Sequence, residues 1–199
     1  MLSNVRCGRV REVSLIIPDD VCDIYEIHQI VWSHVGQVLA KENGGVRPRA
    51  QDDGGVRFLY RRDENLIRVR AELFKNAGQV VDMPSDKSTR TLRIQIAPFR
   101  DAFSLRSKTN SEVQDYIKSL LVKAGFEVKD MRTNYLGLAS GKKNKPSGGT
   151  LNIDLPVFGV VANVSIQDAK ATHRAWIDGI GRGKRFGFGM PVLDHCVLH

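Results

Sequence analysis

Apolar side chains recur every three or four positions between residues 20 and 38, which is the period of a helix with one buried side. Asp19 and Asp20 follow Pro18 and predict the N-cap of this helix, and Asn43-Gly44-Gly45 predicts its end. The apolar side comprises Val21, Ile24, Tyr25, Ile27, Val31, Trp32, Val35 and Val38. His28 lies among these apolar positions and is the one strongly polar side chain there.

Strand-like segments surround this helix. They cover residues 5–17, 56–61, 66–73 and 90–97, and the last of these alternates strictly between Leu92, Ile94, Ile96 and polar neighbours. A second helix is expected from Ser111 to Gly125, followed by strands at 126–138 and 150–166, a helix at 167–180 and a last strand at 188–194.

This order predicts an α+β protein of two tandem ferredoxin-like (RRM-like) β-α-β-β-α-β domains, 1–85 and 86–199. The second helix of the first half, around 71–80, is poorly marked. A basic loop is expected at 141–149.

Charge separates the two halves. Residues 1–85 hold 12 Lys and Arg against 12 Asp and Glu, whereas residues 86–199 hold 18 against 10, so the whole excess of +8 lies in the second half. A basic domain of this kind favours a polyanion such as a nucleic acid, since each phosphate contact releases counterions. A basic protein without a nucleic-acid partner is the alternative.

The remaining composition predicts a cytoplasmic protein without a metal. Cys7, Cys22 and Cys196 are odd in number and lack CxxC spacing, which favours free thiols in a reducing compartment. No apolar run approaches the ~18 residues of a membrane span, and no signal peptide is apparent. No second group of Cys or His residues occurs at zinc-site spacing from His195, Cys196 and His199. We therefore expect no metal and no cofactor.

His28 and Tyr25 are the candidate catalytic pair. They are three residues apart on the first helix and therefore share a side of it. RNA carries its own nucleophile, the 2′-hydroxyl, so an enzyme that cuts RNA by internal attack needs proton transfer and charge stabilisation, which one His and one Tyr can supply. A histidine in an apolar arc is more commonly a core residue, and both interpretations stay open here.

The segment from Gly179 to Gly189 is the candidate phosphate-binding loop. Its glycines let the backbone approach a ligand, its cations suit phosphates, and its aromatic rings suit bases. The members are Gly179, Gly181, Gly183, Gly187, Gly189, Arg182, Lys184, Arg185, Phe186 and Phe188. The spacing fits neither a Walker A loop nor a Rossmann fingerprint. The alternative is a turn whose two phenylalanines pack in the core.

Further candidate RNA contacts are the three lysines of the basic loop, Lys142, Lys143 and Lys145. Arg93, in the strand at 90–97, is another. A solvated loop without a ligand is the alternative for the lysines.

Three segments resemble the CRISPR precursor-RNA-processing endoribonucleases, in the CasE-like branch of the RAMP superfamily that serves Cascade-type complexes. Ile24-Tyr25-Glu26-Ile27-His28-Gln29-Ile30-Val31-Trp32 resembles the first helix of the family, and Gly179 to Gly189 resembles its glycine-rich loop. Leu92 to Pro98 resembles the strand that opens the second domain, although the family tends to have Asn before the proline.

The resemblance implies two tandem ferredoxin-like domains and metal-independent cleavage of precursor CRISPR RNA at the base of the repeat hairpin, leaving a 2′,3′-cyclic phosphate. It implies that His28 is the general acid or base, that Tyr25 assists at the scissile phosphate, and that Arg182, Lys184 and Arg185 contact phosphates. The implied partners are the repeat hairpin and the other subunits of a Cascade-like effector complex.

Two other functions fit the same residues. One is a subunit with the same fold that holds structured RNA without cutting it. The other is a different basic α/β RNA-binding protein, such as a ribosomal or RNA-maturation factor. A nucleotide-binding enzyme is disfavoured because the phosphate-loop motifs fail.

Overall fold

A computed structural model describes residues 10–46, 56–84, 88–144 and 148–195. The first half contains β1 (Arg11–Ile16), α1 (Ile24–Glu42), β2 (Leu59–Asp63), β3 (Leu66–Ala71) and β4 (Gln79–Val80). The second half contains β5 (Arg90–Ile96), α2 (Ala102–Arg106), α3 (Asn110–Lys123), β6 (Phe126–Asn144), β7 (Thr150–Ile166), α4 (Ala169–Asp178) and β8 (Val192–His195).

The strands form two four-stranded sheets, in the orders β2-β3-β1-β4 and β6-β7-β5-β8. Each neighbouring pair is antiparallel, and in each sheet the first strand lies between the third and the fourth. This is the strand order of a ferredoxin-like unit repeated twice. The predicted α+β fold class is therefore confirmed, while the domain boundary at 85/86 stays a prediction.

The weakly marked helix at 71–80 does not form. Residues 72–78 make turns instead, and the carboxylate of Glu42 accepts the backbone N–H groups of Lys75, Asn76 and Ala77 at 3.0, 2.7 and 2.7 Å. These N–H groups are thus engaged by the last turn of α1, and the connection to β4 stays short.

Each sheet buries one face under its helices. In the first half Ile27, Val31 and Val35 of α1 pack with Ile67 and Val69 of β3. In the second half the core combines residues of β5, β7, α3 and α4, among them Leu92, Ile94, Ile117, Leu121, Val160 and Ala175. Apolar alternation in β5 and helical period in α1 and α3 therefore mark the buried faces, as the sequence indicates.

The N-cap of α1 is Asp23, and the prediction of Asp19 or Asp20 is wrong. The Asp23 side chain accepts the backbone N–H groups of Tyr25 and Glu26 at 2.8 and 3.1 Å. The helix ends at Asn43, as predicted.

Residues 141–144 of the loop predicted at 141–149 belong instead to β6, which forms a long hairpin with β7, while residues 145–147 lie outside the described residues. Residues 141–144 pair with β7, and they also pack on the start of α1. A Cβ atom at Gly141 would come 2.7 Å from Ile24 Cγ1, and the Lys142 N–H donates to Asp23 Oδ2 at 2.9 Å. The hairpin of the second half is thereby anchored on the first helix. Lys145 lies outside the described residues.

Arg70 joins the two halves from the inside. Its side chain is 2% exposed and is paired with the carboxylate of Glu12, with Nη2 at 2.7 Å. Its Nη1 donates to the carbonyl oxygens of Trp176 and Pro191 at 3.3 and 3.0 Å, and its guanidinium carbon lies 3.7 Å from the centre of the Trp176 ring. One residue of β3 therefore fixes α4 and the start of β8 against the first sheet.

Candidate functional site

His28 lies in the second turn of α1, among aromatic rings. It is 7% exposed. The imidazole stacks on Phe58 at 6.1 Å and on Tyr60 at 6.4 Å between ring centres, and Phe186 meets it edge-on at 6.0 Å. The ring is thus held from three sides, by β2 and its approach and by the glycine-rich segment.

The same histidine lines a pocket of about 390 Å³ between the two halves of the chain. The pocket is lined by His28, Val56, Arg57, Phe58, Leu59, Ile177, Asp178, Lys184 and Arg185. Three of these are cations, and the carboxylate of Asp178 lies 3.5 Å from Arg57 Nη1. A histidine beside a predominantly cationic cavity is an arrangement that suits a phosphodiester.

Tyr25 lies outside the lining of that pocket and meets the β6–β7 hairpin instead. It is half-buried, and Lys143 Nζ lies 5.7 Å from the centre of its ring. Lys142 is exposed and held by its backbone on Asp23. The structure therefore brings Tyr25, Lys142 and Lys143 together at the start of α1, while Lys184 and Arg185 lie with His28 one turn further along.

The carboxylate of Asp23 organises this corner. Burial alone would raise the pKa of Asp23. The hydrogen bonds that its carboxylate accepts from the backbone N–H groups of Glu26, Lys142 and Tyr25 together lower the pKa by more than burial raises it, so the pKa lies below the ordinary value. The charged form of Asp23 is therefore the one that the fold stabilises.

The glycine-rich segment is fixed mainly by its own hydrogen bonds. Ile180 N–H donates to Gly189 O at 2.8 Å, Gly189 N–H to Gln95 O at 2.7 Å, and Arg182 N–H to Ala97 O at 3.0 Å. All five glycines have positive φ. These N–H groups are used inside the protein, so the segment serves chiefly to place one short 3-10 turn, Lys184–Phe186, against α1 and β2.

The two phenylalanines of this segment differ. Phe188 is buried in a cluster with Ile24, Ala97, Leu155 and Val157, as the core alternative proposed. Phe186 is half-buried and lies against His28. Only Phe186 therefore borders the candidate site.

Two of the candidate cations lie away from His28. Arg182 is exposed and forms an isolated bridge with Ala97. Arg93 is paired with Asp194, with 2.8 Å from Nε to Oδ2, and lines a separate concavity of about 350 Å³ with Arg61 and Arg132. The structure does not bring either residue into the His28 pocket.

Sequence reasoning missed four residues of the site. Arg57 and Asp178 line the pocket, and Phe58 and Tyr60 hold the imidazole. Burial raises the pKa of the Tyr60 phenol. The sequence predicts a strand at 56–61, and the alternation of Phe58 and Tyr60 around Leu59 is the signal that marks a common aromatic face.

Within the described ranges, no three His, Cys, Asp or Glu side chains come together as metal ligands. Cys196 and His199 lie outside those ranges, and the expected metal independence stays a prediction. Of the helices that the structure describes, none is both long and apolar enough to cross a membrane.

No protein-family model matches the sequence, and no curated protein does. Solved structures do. Cse3 of Thermus thermophilus bound to an RNA representing a pre-cleavage complex is 16% identical, with a TM-score of 0.58 over 94% of this chain and 99% of that one. The CRISPR-associated protein Cas6e of Escherichia coli K-12 is 15% identical, with a TM-score of 0.57 over 92% and 97%.

A chain of a CRISPR RNA-guided surveillance complex is 18% identical, with a TM-score of 0.53 over 92% of this chain and 97% of that one. The alignments span nearly the full length of both partners, so the similarity covers both sheets and not a single ferredoxin-like unit. The chain therefore has a tandem ferredoxin-like fold, which it shares with these CRISPR-associated structures.

Proposed function

We propose that this protein is an endoribonuclease that cuts CRISPR precursor RNA at the base of the repeat hairpin. The observation that carries the proposal is the pocket between the two halves, where His28 lies with Arg57, Lys184 and Arg185. The shared fold with RNA-bound Cse3 supports it, and so does the +8 charge of the second half.

The reaction needs only groups of the RNA and the protein. The 2′-oxygen of the nucleotide before the cut forms a bond to phosphorus as the bond from phosphorus to the 5′-oxygen breaks. One proton leaves the 2′-hydroxyl and one reaches the departing 5′-oxygen, which leaves a 2′,3′-cyclic phosphate and a free 5′-hydroxyl. His28 transfers one of these protons, and Lys184 and Arg185 stabilise the charge on the phosphorane.

Tyr25, Lys142 and Lys143 have a different place in this proposal. Tyr25 lies at the start of α1, and Lys142 and Lys143 lie on the β6–β7 hairpin that packs against it. There Tyr25 assists at the scissile phosphate and the lysines hold the RNA backbone of the stem. Arg182 and Arg93 would contact RNA farther from the cut. After cleavage the protein keeps the hairpin and acts as a subunit of a Cascade-like effector complex.

One observation favours a second function, a subunit that holds the hairpin without cutting it. His28 is 7% exposed and is surrounded by three aromatic rings. A histidine that has only a structural role in the core would have the same surroundings. The two functions differ only in whether the RNA is cut.

The test is incubation of the purified protein with an end-labelled repeat hairpin in EDTA. We expect one cut at the base of the hairpin and a cyclic phosphate on the upstream product. His28→Ala and His28→Gln should lower the rate about 10²- to 10⁴-fold with hairpin affinity retained. His34→Ala, on the same helix, is the matched control and should cut normally.

A 2′-deoxy nucleotide before the cut should block cleavage by every variant. Tight binding without cleavage by the unmodified protein would establish the non-cleaving subunit instead. Equal loss of activity in His28→Gln and His34→Ala would show a general effect on the helix and would remove the catalytic role of His28.

A further inference from the structure

A second concavity adjoins the His28 pocket. It lies between the C-terminal end of α3, the outer side of α4 and the glycine-rich segment, and its volume is about 320 Å³. Small residues form much of its lining, namely Ala124, Ala171, Ala175, Gly179 and Gly181. The volume is at the lower end of the range for small-ligand sites, roughly 300–1,000 Å³.

Three cations surround these small residues: Lys123 from the last turn of α3, Arg174 from α4, and Lys184. Lys123 and Arg174 are exposed and Lys184 is half-buried. In the part of the chain that the structure describes, none of the three forms an ion pair. Asp178 is the single acidic residue in the lining, and its carboxylate faces Arg57 on the other side.

The chemistry of this lining points to phosphates and away from bases. No aromatic ring lines the concavity, and its polar side chains are all charged. The lining offers no aromatic stacking surface and no amide or hydroxyl group for reading base edges, whereas Lys and Arg bind the phosphate backbone of any sequence. A ligand held here would be bound without regard to its sequence.

The two concavities adjoin each other, since Lys184 and Asp178 line both of them. A strand that has its scissile phosphate beside His28 can therefore reach the second concavity by passing Lys184. At the base of a hairpin the duplex lies upstream of the cut, so the strand that is free to enter is the single-stranded RNA downstream of it.

We propose that Lys123 and Arg174, with Lys184, form a phosphate-binding subsite for the single-stranded nucleotides that follow the cut. This subsite rests on the proposed function. It would increase the affinity for precursor RNA over the trimmed product, because cleavage removes the nucleotides that it holds.

The experiment compares two hairpin RNAs, one ending a single nucleotide after the cut and one extended by six unpaired nucleotides. We expect the extension to lower the protein concentration that gives half-maximal single-turnover cleavage by about 2- to 30-fold for the unmodified protein, as two exposed charge contacts would, with the maximal cleavage rate unchanged. Lys123→Ala/Arg174→Ala should abolish this gain. Arg106→Ala/Lys118→Ala removes the same side-chain types elsewhere on the second half and should retain it.

A salt series gives an independent readout on the extended RNA with a 2′-deoxy nucleotide before the cut. Loss of two phosphate contacts should flatten the plot of log Kd against log salt concentration by about 1.4 in the Lys123→Ala/Arg174→Ala variant. Extensions of uridine and of adenosine should behave alike.

Two results would overturn the subsite alone: cleavage by the unmodified protein with no gain from the extension, or the same gain in Lys123→Ala/Arg174→Ala. Absence of cleavage of both RNAs would overturn the proposed function, and the subsite with it.

Discussion

Asp23 shows how one carboxylate connects distant parts of the chain. Its Oδ1 accepts the first N–H groups of α1, and its Oδ2 accepts the Lys142 N–H of the hairpin at 2.9 Å. Hydrogen bonds to a charged acceptor are stronger than those between neutral groups. Asp23 therefore both starts the helix that carries His28 and anchors the hairpin beside it.

Asp23→Ala should lower the free energy of unfolding by about 0.5–2 kcal/mol at neutral pH, as the loss of an N-cap does. The native pKa of Asp23 is below its unfolded value of about 3.9, so this stabilisation is present above the unfolded pKa and is lost as pH falls through the native pKa. Urea unfolding from pH 7 to pH 3 measures it.

Asp20→Ala is the matched control, because Asp20 is exposed and lies outside the helix. It should leave stability within about 0.5 kcal/mol of the unmodified protein. A loss equal to that of Asp23→Ala, or a difference that persists unchanged at acid pH, would contradict the capping role.

Tyr60 supports the imidazole of His28 with its ring and not with its hydroxyl. The residue is 1% exposed, and within the described residues its hydroxyl finds no hydrogen-bond partner. Tyr60→Phe should therefore leave the melting temperature unchanged or raise it, and the proposed cleavage should continue at a similar rate. A large loss of cleavage with unchanged stability would instead give the phenol a role at the site.

The sequence places an aspartate before α1 but does not identify which one. Asp23 has the same side chain as the predicted caps Asp19 and Asp20, and it also accepts a hydrogen bond from Lys142 of the second half. Local capping rules contain no such long-range information. The same limit explains why Arg57 and Asp178 were not predicted as pocket residues.

Among the elements, the glycine-rich segment is packed closely against β2. Gly187 has φ of +87°, and a Cβ there would come 2.6 Å from Tyr60 Cε2. Because Tyr60 is buried and stacks on His28, it has little room to move. The glycine is therefore required by packing as well as by backbone conformation, and Lys184–Phe186 are held close to α1 as a result.

Gly187→Ala should cost more stability than Gly148→Ala. Both positions have positive φ, but a Cβ at Gly148 meets nothing within 4 Å, so that variant loses only the roughly 1–2 kcal/mol of a left-handed residue. Gly187→Ala should lose about 1–3 kcal/mol more through overlap. Thermal unfolding of both variants measures the difference, and equal losses would contradict it.

Segments with periodic apolar residues can be predicted from the sequence, because the burial of one face determines the spacing of their apolar side chains. Strict alternation identified β5, and the helical period identified α1 and α3. The helix α2 was missed because it has five residues and none is buried, so no periodic signal exists. The end of β6 was assigned to a loop because Gly141 and two lysines are typical of loops, whereas here the glycine makes room for Ile24.

At the scale of the whole molecule, Arg70 connects the two halves through a buried side chain. It pairs with Glu12 in its own sheet and reaches Trp176 and Pro191 in the other half. A charge in this position is tolerated only with its partners, because desolvation of an unpaired ion costs several kcal/mol. The pocket between the halves depends on this packing.

Arg70→Ala should destabilise the protein by roughly 3–5 kcal/mol, since it leaves Glu12 uncompensated. Arg70→Met/Glu12→Met, which removes both charges, should recover most of that loss. Arg68→Ala, at an exposed position of the same strand, is the control and should change little. Urea unfolding distinguishes the three, and a double variant no better than Arg70→Ala would show that the contacts to Trp176 and Pro191 dominate.

The bond between Asp23 and Lys142 spans 119 residues. At about 5–20 residues per second of protein synthesis, α1 would wait roughly 6 to 24 s for the hairpin that anchors it, and longer for Lys184. During that interval His28 has Arg57 of its own half beside it, but neither Lys184 and Arg185 nor the hairpin that anchors α1. The proposed cleavage site is therefore assembled late, after most of the chain has been made.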